Sequence, residues 1–387
     1  MSKTITIQPI TRIEGHASIH IQLDDQGDVT DARVAFKSLR GFEKFVEGKP
    51  AEELPRIVSR ICGICPWMHH IASNKAVDAC FGAKVPITGQ LLRELMLTTA
   101  HVEDKLLHFF FLAGPDFFIG PDSDYSVRNI MGLVKANPEL ATRVVKMRHK
   151  AKMILDGFSH KAIHPVAAVP GGFIKPMTRE DQTRFLANMR ELLDFSLFAM
   201  AYAKREVFPL CMDAMLGLGN ITTGFIGMVD KKGAMNLYDG KLRLMKPDGS
   251  HIDFDPQAYT DHLAEKVVPF SYGKFPYAKS WNQGFSLDPD SPRGIYRSNT
   301  LARINVADRM ETPLAQAELE TFRDLFGRPA QATLLYHYAR LIEVVAACER
   351  AHIQRVLAQC EGDKRAAAEL LGVHLATLYR HLERLKL

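Results

Sequence analysis

The sequence has no apolar run long enough to cross a bilayer. Its longest candidate, Phe109 to Gly120, is broken by Gly114, Pro115 and Asp116, whereas a spanning helix needs about 20 apolar residues in succession. The opening MSKTITIQPITRIEG carries no apolar core of the kind a secretory signal needs. Cysteine is scarce: six in 387 residues make no disulfide framework. Without an export signal, the expectation is a cytoplasmic chain with reduced thiols. Charge of one sign is lacking too. Forty-nine Lys and Arg against 44 Asp and Glu leave a net charge of +5, which excludes a polycationic nucleic-acid coat and names no partner. There is no internal repeat and no low-complexity tract. What remains is a globular composition, 47% apolar and 24% charged, on a length suited to roughly two or three domains.

The opening reads as β structure. Ile19, Ile21 and Leu23 alternate with polar residues, Asp24 to Gly27 turns the chain, and Val29 to Phe36 leads back. From about Leu91 the period becomes helical, with Leu92, Leu95, Met96, Val102, Leu106 and Phe109 on one face and Pro115 as the expected stop. Further helical stretches are expected at 138–156, 179–217 and 314–360. Lys241 to Phe254 reads as a hairpin around Pro247-Asp248-Gly249, and 269–300, with Pro276, Pro289 and Pro292, reads as loop.

The most chemical segment is Arg60-Ile61-Cys62-Gly63-Ile64-Cys65-Pro66-Trp67-Met68-His69-His70. Thiols at this spacing can reach one metal ion or each other. Gly63 lets the backbone pass close to a ligand, and Pro66 stiffens the exit. Arg60 adds positive charge that favours thiolate. His69 and His70 could ligate, or could hydrogen-bond a thiolate sulfur. The spacing alone leaves a metal site, half of a zinc site and a redox pair all open.

Several longer strings surround this pair. Pro9-Ile10-Thr11-Arg12-Ile13-Glu14-Gly15-His16 and Arg40-Gly41-Phe42-Glu43 precede it. Leu107-His108-Phe109-Phe110, Gly114-Pro115-Asp116, Ile163-His164-Pro165-Val166 and Val169-Pro170-Gly171-Gly172 follow. Further on come Lys274-Phe275-Pro276-Tyr277, Leu301 to Asp308, Thr312 to Gln316 and Tyr336 to Glu343. In this order they resemble the large subunit of nickel–iron hydrogenases as far as about Ala347, and look most like the cytosolic branch that passes electrons to soluble carriers. The resemblance implies a nickel–iron centre held by two cysteine pairs, a magnesium site, and a partner in the form of an iron–sulfur small subunit. By that resemblance Cys62 would be a terminal nickel ligand and Cys65 would bridge both metals. His69 would hydrogen-bond the bridging sulfur, Glu14 would pass protons, and Glu43 would hold magnesium. Read alone, Glu14 between Arg12 and His16 fits a surface ion pair, and Glu43 fits a local pair with Arg40 or Lys44.

The likeness then breaks. The family's second pair sits in a C-terminal Asp-Pro-Cys-x-x-Cys-x-x-His string. Here the other cysteines are Cys80, Cys211, Cys348 and Cys360, no two of them three apart. Cys348 and Cys360 fall in an apolar-periodic stretch, where a small buried hydrophobe is expected. Ser298-Asn299-Thr300 stands where relatives carry Gly-Pro. Two thiolates cannot supply a four-thiolate cradle, so this chain alone is expected neither to split nor to make dihydrogen. A body cut short in this way is also expected to expose apolar surface and to need a partner.

From Cys348 the text changes. Glu361-Gly362-Asp363 breaks and re-caps the chain, Asp363 to Leu371 reads as an Ala-rich helix, Gly372-Val373-His374 as a turn, and Leu375 to Leu385 as a second helix. Lys364, Ala367, Ala368, Leu371-Gly372-Val373, Thr377-Leu378-Tyr379 and Leu382 resemble the Fis-type helix-turn-helix of enhancer-binding activators. The resemblance implies a dimeric DNA-binding module, with His374, Ala376, Thr377 and Arg380 toward bases or backbone and Lys364, Arg365, Arg384 and Lys386 on phosphates. Residues 349–387 hold seven Lys and Arg against five Asp and Glu, so one copy is expected to bind weakly.

The expected fold class is α+β: a small N-terminal β part, a mostly helical body, and a C-terminal helix-turn-helix. The expected domains are 1–347 and 348–387. Three functions stay open: a hydrogenase-like subunit with an incomplete metal site, a DNA-binding regulator with a hydrogenase-like sensor, and a fusion without selected function.

Overall fold

A computed structural model describes residues 3–159, 161, 163–359, 363–371, 376, 378 and 379. The chain forms two compact units, 1–50 with 256–296, and 51–255 with 297–387.

The first unit carries the antiparallel sheet β1 (Lys3–Ile7), β2 (Ala17–Leu23) and β3 (Val29–Phe36), in that spatial order. The turn read from Asp24 to Gly27 forms because Asp24 Oδ1 accepts from the backbone N–H groups of Gln26 and Asp28, both at 2.9 Å. A short helix, α1 (Phe42–Phe45), follows. The expected loop at 269–300 is overturned in its first part. Ser271–Ala278 is a strand paired antiparallel with Leu263–Val268, with a register shift between Ser271 and Phe275. Both strands of a two-stranded ribbon are edges, which is where a strand tolerates Pro276. Phe275 stacks near Phe36 at 6.0 Å, and Ser271 Oγ accepts from the Phe36 N–H at 3.1 Å.

The second unit is mostly helical. In chain order its main elements are α2 (Leu54–Val58), α3 (Pro66–Phe81), α4 (Ile87–Leu107), α5 (Pro138–Ser159), α6 (Arg179–Tyr202), the strands β4 (Gly224–Val229), β5 (Lys241–Met245) and β6 (His251–Phe254), then α7 (Thr300–Val306), α8 (Pro313–Phe326), α9 (Tyr336–Gln359) and α10 (Lys364–Leu371). α9 packs on α4 and α6, and α5 packs on the same two. Their core includes Met96, Val102, Leu106, Ile154, Phe185, Phe195 and Ile342. The expected hairpin is β5 and β6, paired antiparallel, its Pro247-Asp248-Gly249 turn closed by Lys246 N–H to Ser250 O at 2.7 Å. Among the described residues no helix is long and apolar enough to cross a membrane.

Two helix boundaries differ from the sequence expectation. The helix expected from Leu91 starts at Ile87 and does not stop at Pro115. It widens into a π turn over His108–Ala113 and resumes as Gly114–Phe118. Pro115 lies in the first turn of that last piece, where its missing N–H breaks no helical bond. The 314–360 stretch is two helices, α8 and α9. Gly327, at φ 72°, ends α8, and Pro329 prevents its resumption.

The Ser298-Asn299-Thr300 departure has a local purpose. Asn299 Oδ1 accepts from Ala302 N–H at 2.9 Å and starts α7, while the buried Thr300 hydroxyl donates to Tyr336 O at 2.8 Å. Asn299→Ala is therefore expected to lower stability by about 1 kcal/mol, measured as a shift of the urea midpoint with the slope unchanged.

α9 runs through position 348 without interruption, although the character of the sequence changes there. α10 begins as expected: Asp363 Oδ1 accepts from Arg365 N–H at 2.8 Å and Ala366 N–H at 3.2 Å. Ala367, Ala368 and Leu378 are buried. Of the second expected helix, Ala376, Leu378 and Tyr379 are helical. The expected turn at 372–374 lies outside the described residues, as do His374, Thr377, Arg380, Arg384 and Lys386. Of the residues assigned to DNA, Arg365 and Ala376 are exposed, whereas Lys364 places its ammonium 5.0 Å from the Tyr379 ring centroid.

Candidate metal centre

A 3₁₀ turn over Ser59–Ile61 leads into an extended Cys62 at φ −133°. The chain then bends through Gly63 and Ile64 so that Cys65 becomes the N-cap residue of α3, with Pro66 at its first position. This bend aims two backbone donors at one sulfur: Cys62 Sγ accepts from Cys65 N–H at 3.0 Å and Ile64 N–H at 3.4 Å. Cys65 Sγ lies 2.7 Å from Cys62 Sγ. Cys62 is buried and Cys65 half-buried. His69 sits one helical turn beyond Cys65, on the same face of α3. One donor atom from each of Cys62, Cys65 and His69 falls within 4.8 Å of the other two, the one such grouping of three His, Cys, Asp or Glu among the described residues. Burial pushes the His69 imidazole below its ordinary pKa.

The structure separates the two neighbouring histidines. His70 is buried, with Nδ1 3.1 Å from Pro55 O and Nε2 accepting from Ala168 N–H at 3.2 Å. Both its nitrogens are committed to holding backbone. Burial, then the Arg93 charge, lower its pKa against two hydrogen bonds that raise it.

Two of the family-like strings are tied to the elements that flank the pair. Arg93 donates to Asp78 Oδ2 at 2.5 Å, Val169 O at 2.7 Å and Gly172 O at 3.1 Å, and Gly171 N–H donates to Asp78 Oδ1 at 2.6 Å. His164 Nδ1 lies 2.9 Å from Ser59 O, at the start of the turn before Cys62.

A second polar cluster, to which sequence reasoning gave no role, surrounds Glu343 on α9. Arg303 grips its carboxylate with two N–H groups at 2.6 and 2.8 Å, and Lys105 approaches to 3.3 Å. Burial alone would raise the Glu343 pKa; the Arg303 and Lys105 charges more than offset this and hold it at about 2. Lys105 in turn is lowered to about 8, because burial outweighs its attraction to Glu343. Its Nζ also lies 2.5 Å from His101 Nδ1. The signal in the sequence was Lys105 and Glu343 standing on otherwise apolar helical faces.

The remaining expected site residues lie elsewhere. Glu14 is exposed in the bend before β2. Glu43 is exposed in the first turn of α1 and pairs with Lys274 at 3.3 Å, which also binds Glu265 at 2.6 Å. A backbone hydrogen bond and that lysine lower its pKa. Cys80 is exposed. Cys211 donates to Val207 O at 3.3 Å, with burial raising its thiol pKa. Cys348 is fully buried, as expected of a small hydrophobe, and burial likewise raises its pKa. Cys360 lies outside the described residues.

The fold, with this cysteine loop at the head of α3, is that of a nickel-dependent hydrogenase large subunit. The profile of the family described as "Nickel-dependent hydrogenase" matches residues 40–119, and that described as "HoxL-like" matches 4–39. An F420-non-reducing hydrogenase vhu subunit from Methanococcus voltae is 44% identical over 348 residues, covering 90% of this chain and 80% of the relative. The NAD-reducing hydrogenase HoxS subunit beta of Cupriavidus necator is 32% identical, covering 90% and 72%. A crystal structure of an NAD+-reducing NiFe-hydrogenase in the H2-reduced state superposes with a TM-score of 0.86 at 35% identity, covering 93% of this chain and 79% of that one. The chain belongs to the nickel–iron hydrogenase large-subunit family. Its C-terminal residues 344–385 match the profile described as "Bacterial regulatory protein, Fis family".

Proposed function

We propose that this chain is a hydrogenase large-subunit-like protein retaining only the first cysteine half of the nickel–iron site, joined to a DNA-binding module. The observation that carries it is the family-like loop that brings Cys62 and Cys65 together while Cys80, Cys211 and Cys348 are each placed elsewhere. A nickel–iron centre of the family's kind needs four soft thiolates; the two brought together here do not fit it. Glu14 and Glu43 keep their family roles, proton transfer and magnesium binding, as expectations by position only. The working partner on this reading is an iron–sulfur small subunit in the cytoplasm. Exposed Leu39 and Phe45 in the first unit and Leu210 and Leu218 in the second support a need for such a partner.

The test is activity and spectroscopy together. Purified protein is expected to show no hydrogen uptake with dyes or NAD+, and no infrared bands of iron-bound carbon monoxide or cyanide. Turnover that disappears in Cys62→Ser or Cys65→Ser would overturn the half-site reading, because serine is a far poorer ligand for soft metals.

A second reading is a transcription regulator in which the hydrogenase-like body senses and the Fis-type module acts. The Asp363-capped α10, packed on α9 with Ala367 and Ala368 buried, favours it.

A further inference from the structure

We infer that Cys62, Cys65 and His69 form a self-contained site for one thiophilic divalent cation of the zinc class, in place of a two-metal centre. The inference rests on the half-site reading above and says what the retained half does.

Three features of the loop carry it. The first is the donor set. Two thiols and an imidazole, with donor atoms within 4.8 Å of one another, are the ligand types of tetrahedral zinc. With metal–sulfur bonds of about 2.3 Å and metal–nitrogen bonds of about 2.0–2.1 Å, tetrahedral donors sit roughly 3.5–3.8 Å apart. The sulfurs, now at 2.7 Å, must open by about 1 Å. The inference requires that opening to come from rotation of the Cys65 side chain, which is half-buried.

The second feature is preparation of the sulfur. The N–H groups of Ile64 and Cys65 both point at Cys62 Sγ. Hydrogen bonds of this kind orient a ligand atom, so the loop holds Cys62 Sγ in a fixed place for an ion. Cys65 stands at the N-terminus of α3, 16 residues long, which fixes it one helical turn from His69.

The third feature is the histidine. His70 spends both nitrogens on Pro55 and Ala168. No hydrogen bond to the His69 ring is found among the described residues, and its helical position keeps it beside Cys65. A side chain that only oriented the bridging sulfur would serve no end without a second metal; as a direct ligand it completes a three-donor site. Three protein ligands leave one position for water or a further donor, so the ion is exchangeable rather than permanently enclosed.

The test uses the full chain, reduced and stripped of metal under argon, with Co2+ alone as the probe. The expected result is one Co2+ per chain, with tetrahedral visible bands and sulfur-to-cobalt charge transfer, displaced by one equivalent of Zn2+. Cys62→Ser and Cys65→Ser should lose the charge-transfer band. His69→Asn should keep the fold by circular dichroism, weaken Zn2+ binding and shift the tetrahedral cobalt bands as the imidazole ligand is lost. Absence of cobalt binding, or binding that His69→Asn leaves unchanged, overturns the inference and leaves the half-site reading standing. So does a pair that reductant cannot open. Infrared bands of iron-bound diatomics together with bound nickel overturn both.

Discussion

Glu343→Ala is expected to lower the unfolding free energy by about 3–5 kcal/mol. Glu343 is fully buried, and its carboxylate is the counter-charge for both Arg303 and Lys105. Removing it leaves two cations facing each other with little water to screen them. Lys105→Met removes a costly buried ammonium and leaves the bidentate Arg303–Glu343 pair, so its effect should be much smaller or even stabilising. The same geometry gives a pH dependence. The folded pKa of Glu343 is about 2 against an ordinary 4.5. Its contribution is thus fully present above about pH 4.5 and is lost as pH falls toward 2. Lys105 acts oppositely at the alkaline end. Its folded pKa of about 8 lies below 10.5, so the cost of burying its charge fades as pH rises from 8 to 10.5. Urea midpoints of the unsubstituted chain and the two variants across about pH 2–11 measure all of this. Equal losses for both substitutions would contradict the asymmetry.

Shortening the chain at two places should give sharply different proteins. Ended after Gln359, the chain is expected to lose DNA binding while its melting temperature is nearly kept. Ended after Ala347, it should lose both. Glu349 accepts the N–H groups of Leu314 at 3.1 Å and Ala315 at 3.4 Å, at the start of α8. Arg350 joins Glu94 at 2.7 Å and also bonds Glu311. Ala351 and His352 are buried. Cutting at 347 orphans these groups, at about 1–3 kcal/mol for each buried one left unpaired. For the intact chain, anisotropy titration with duplex DNA at two salt concentrations should show weak, strongly salt-dependent binding. Arg365→Ala should reduce the salt slope by about one. Lys364→Ala should do less, because its ammonium already rests on Tyr379. If the full chain and the Gln359 version bind DNA equally, or the full chain does not bind at low salt, the regulator reading fails.

Local pattern made much of this legible. The β2–β3 pair, the Lys241–Phe254 hairpin and the apolar face of α4 all follow from alternation, turn residues and helical period. The cysteine loop was legible because both thiols and the bend-forming Gly63 lie within four residues. Pattern failed where a proline carries two meanings. Pro115 begins a helical turn, and Pro276 sits in a ribbon that is all edge. Spacing alone left His69 and His70 both open and only the resemblance pointed to His69, since Pro55 and Ala168, which claim His70, come from distant segments. The Glu343 cluster showed in the sequence only as charges on apolar helical faces; its pairing is assembled from α4, α7 and α9.

The first half of α9 lies in the helical body, and α9 also packs on α10. A helix turns about 100° and advances about 1.5 Å with each residue. Through that packing α10 is geared to α9, as a key is to its shaft. A single residue inserted after His352 would swing α10 by about 100° around the α9 axis while leaving Glu349 and Arg350 in their contacts. A turn or slide of α9 within the body would carry α10 with it.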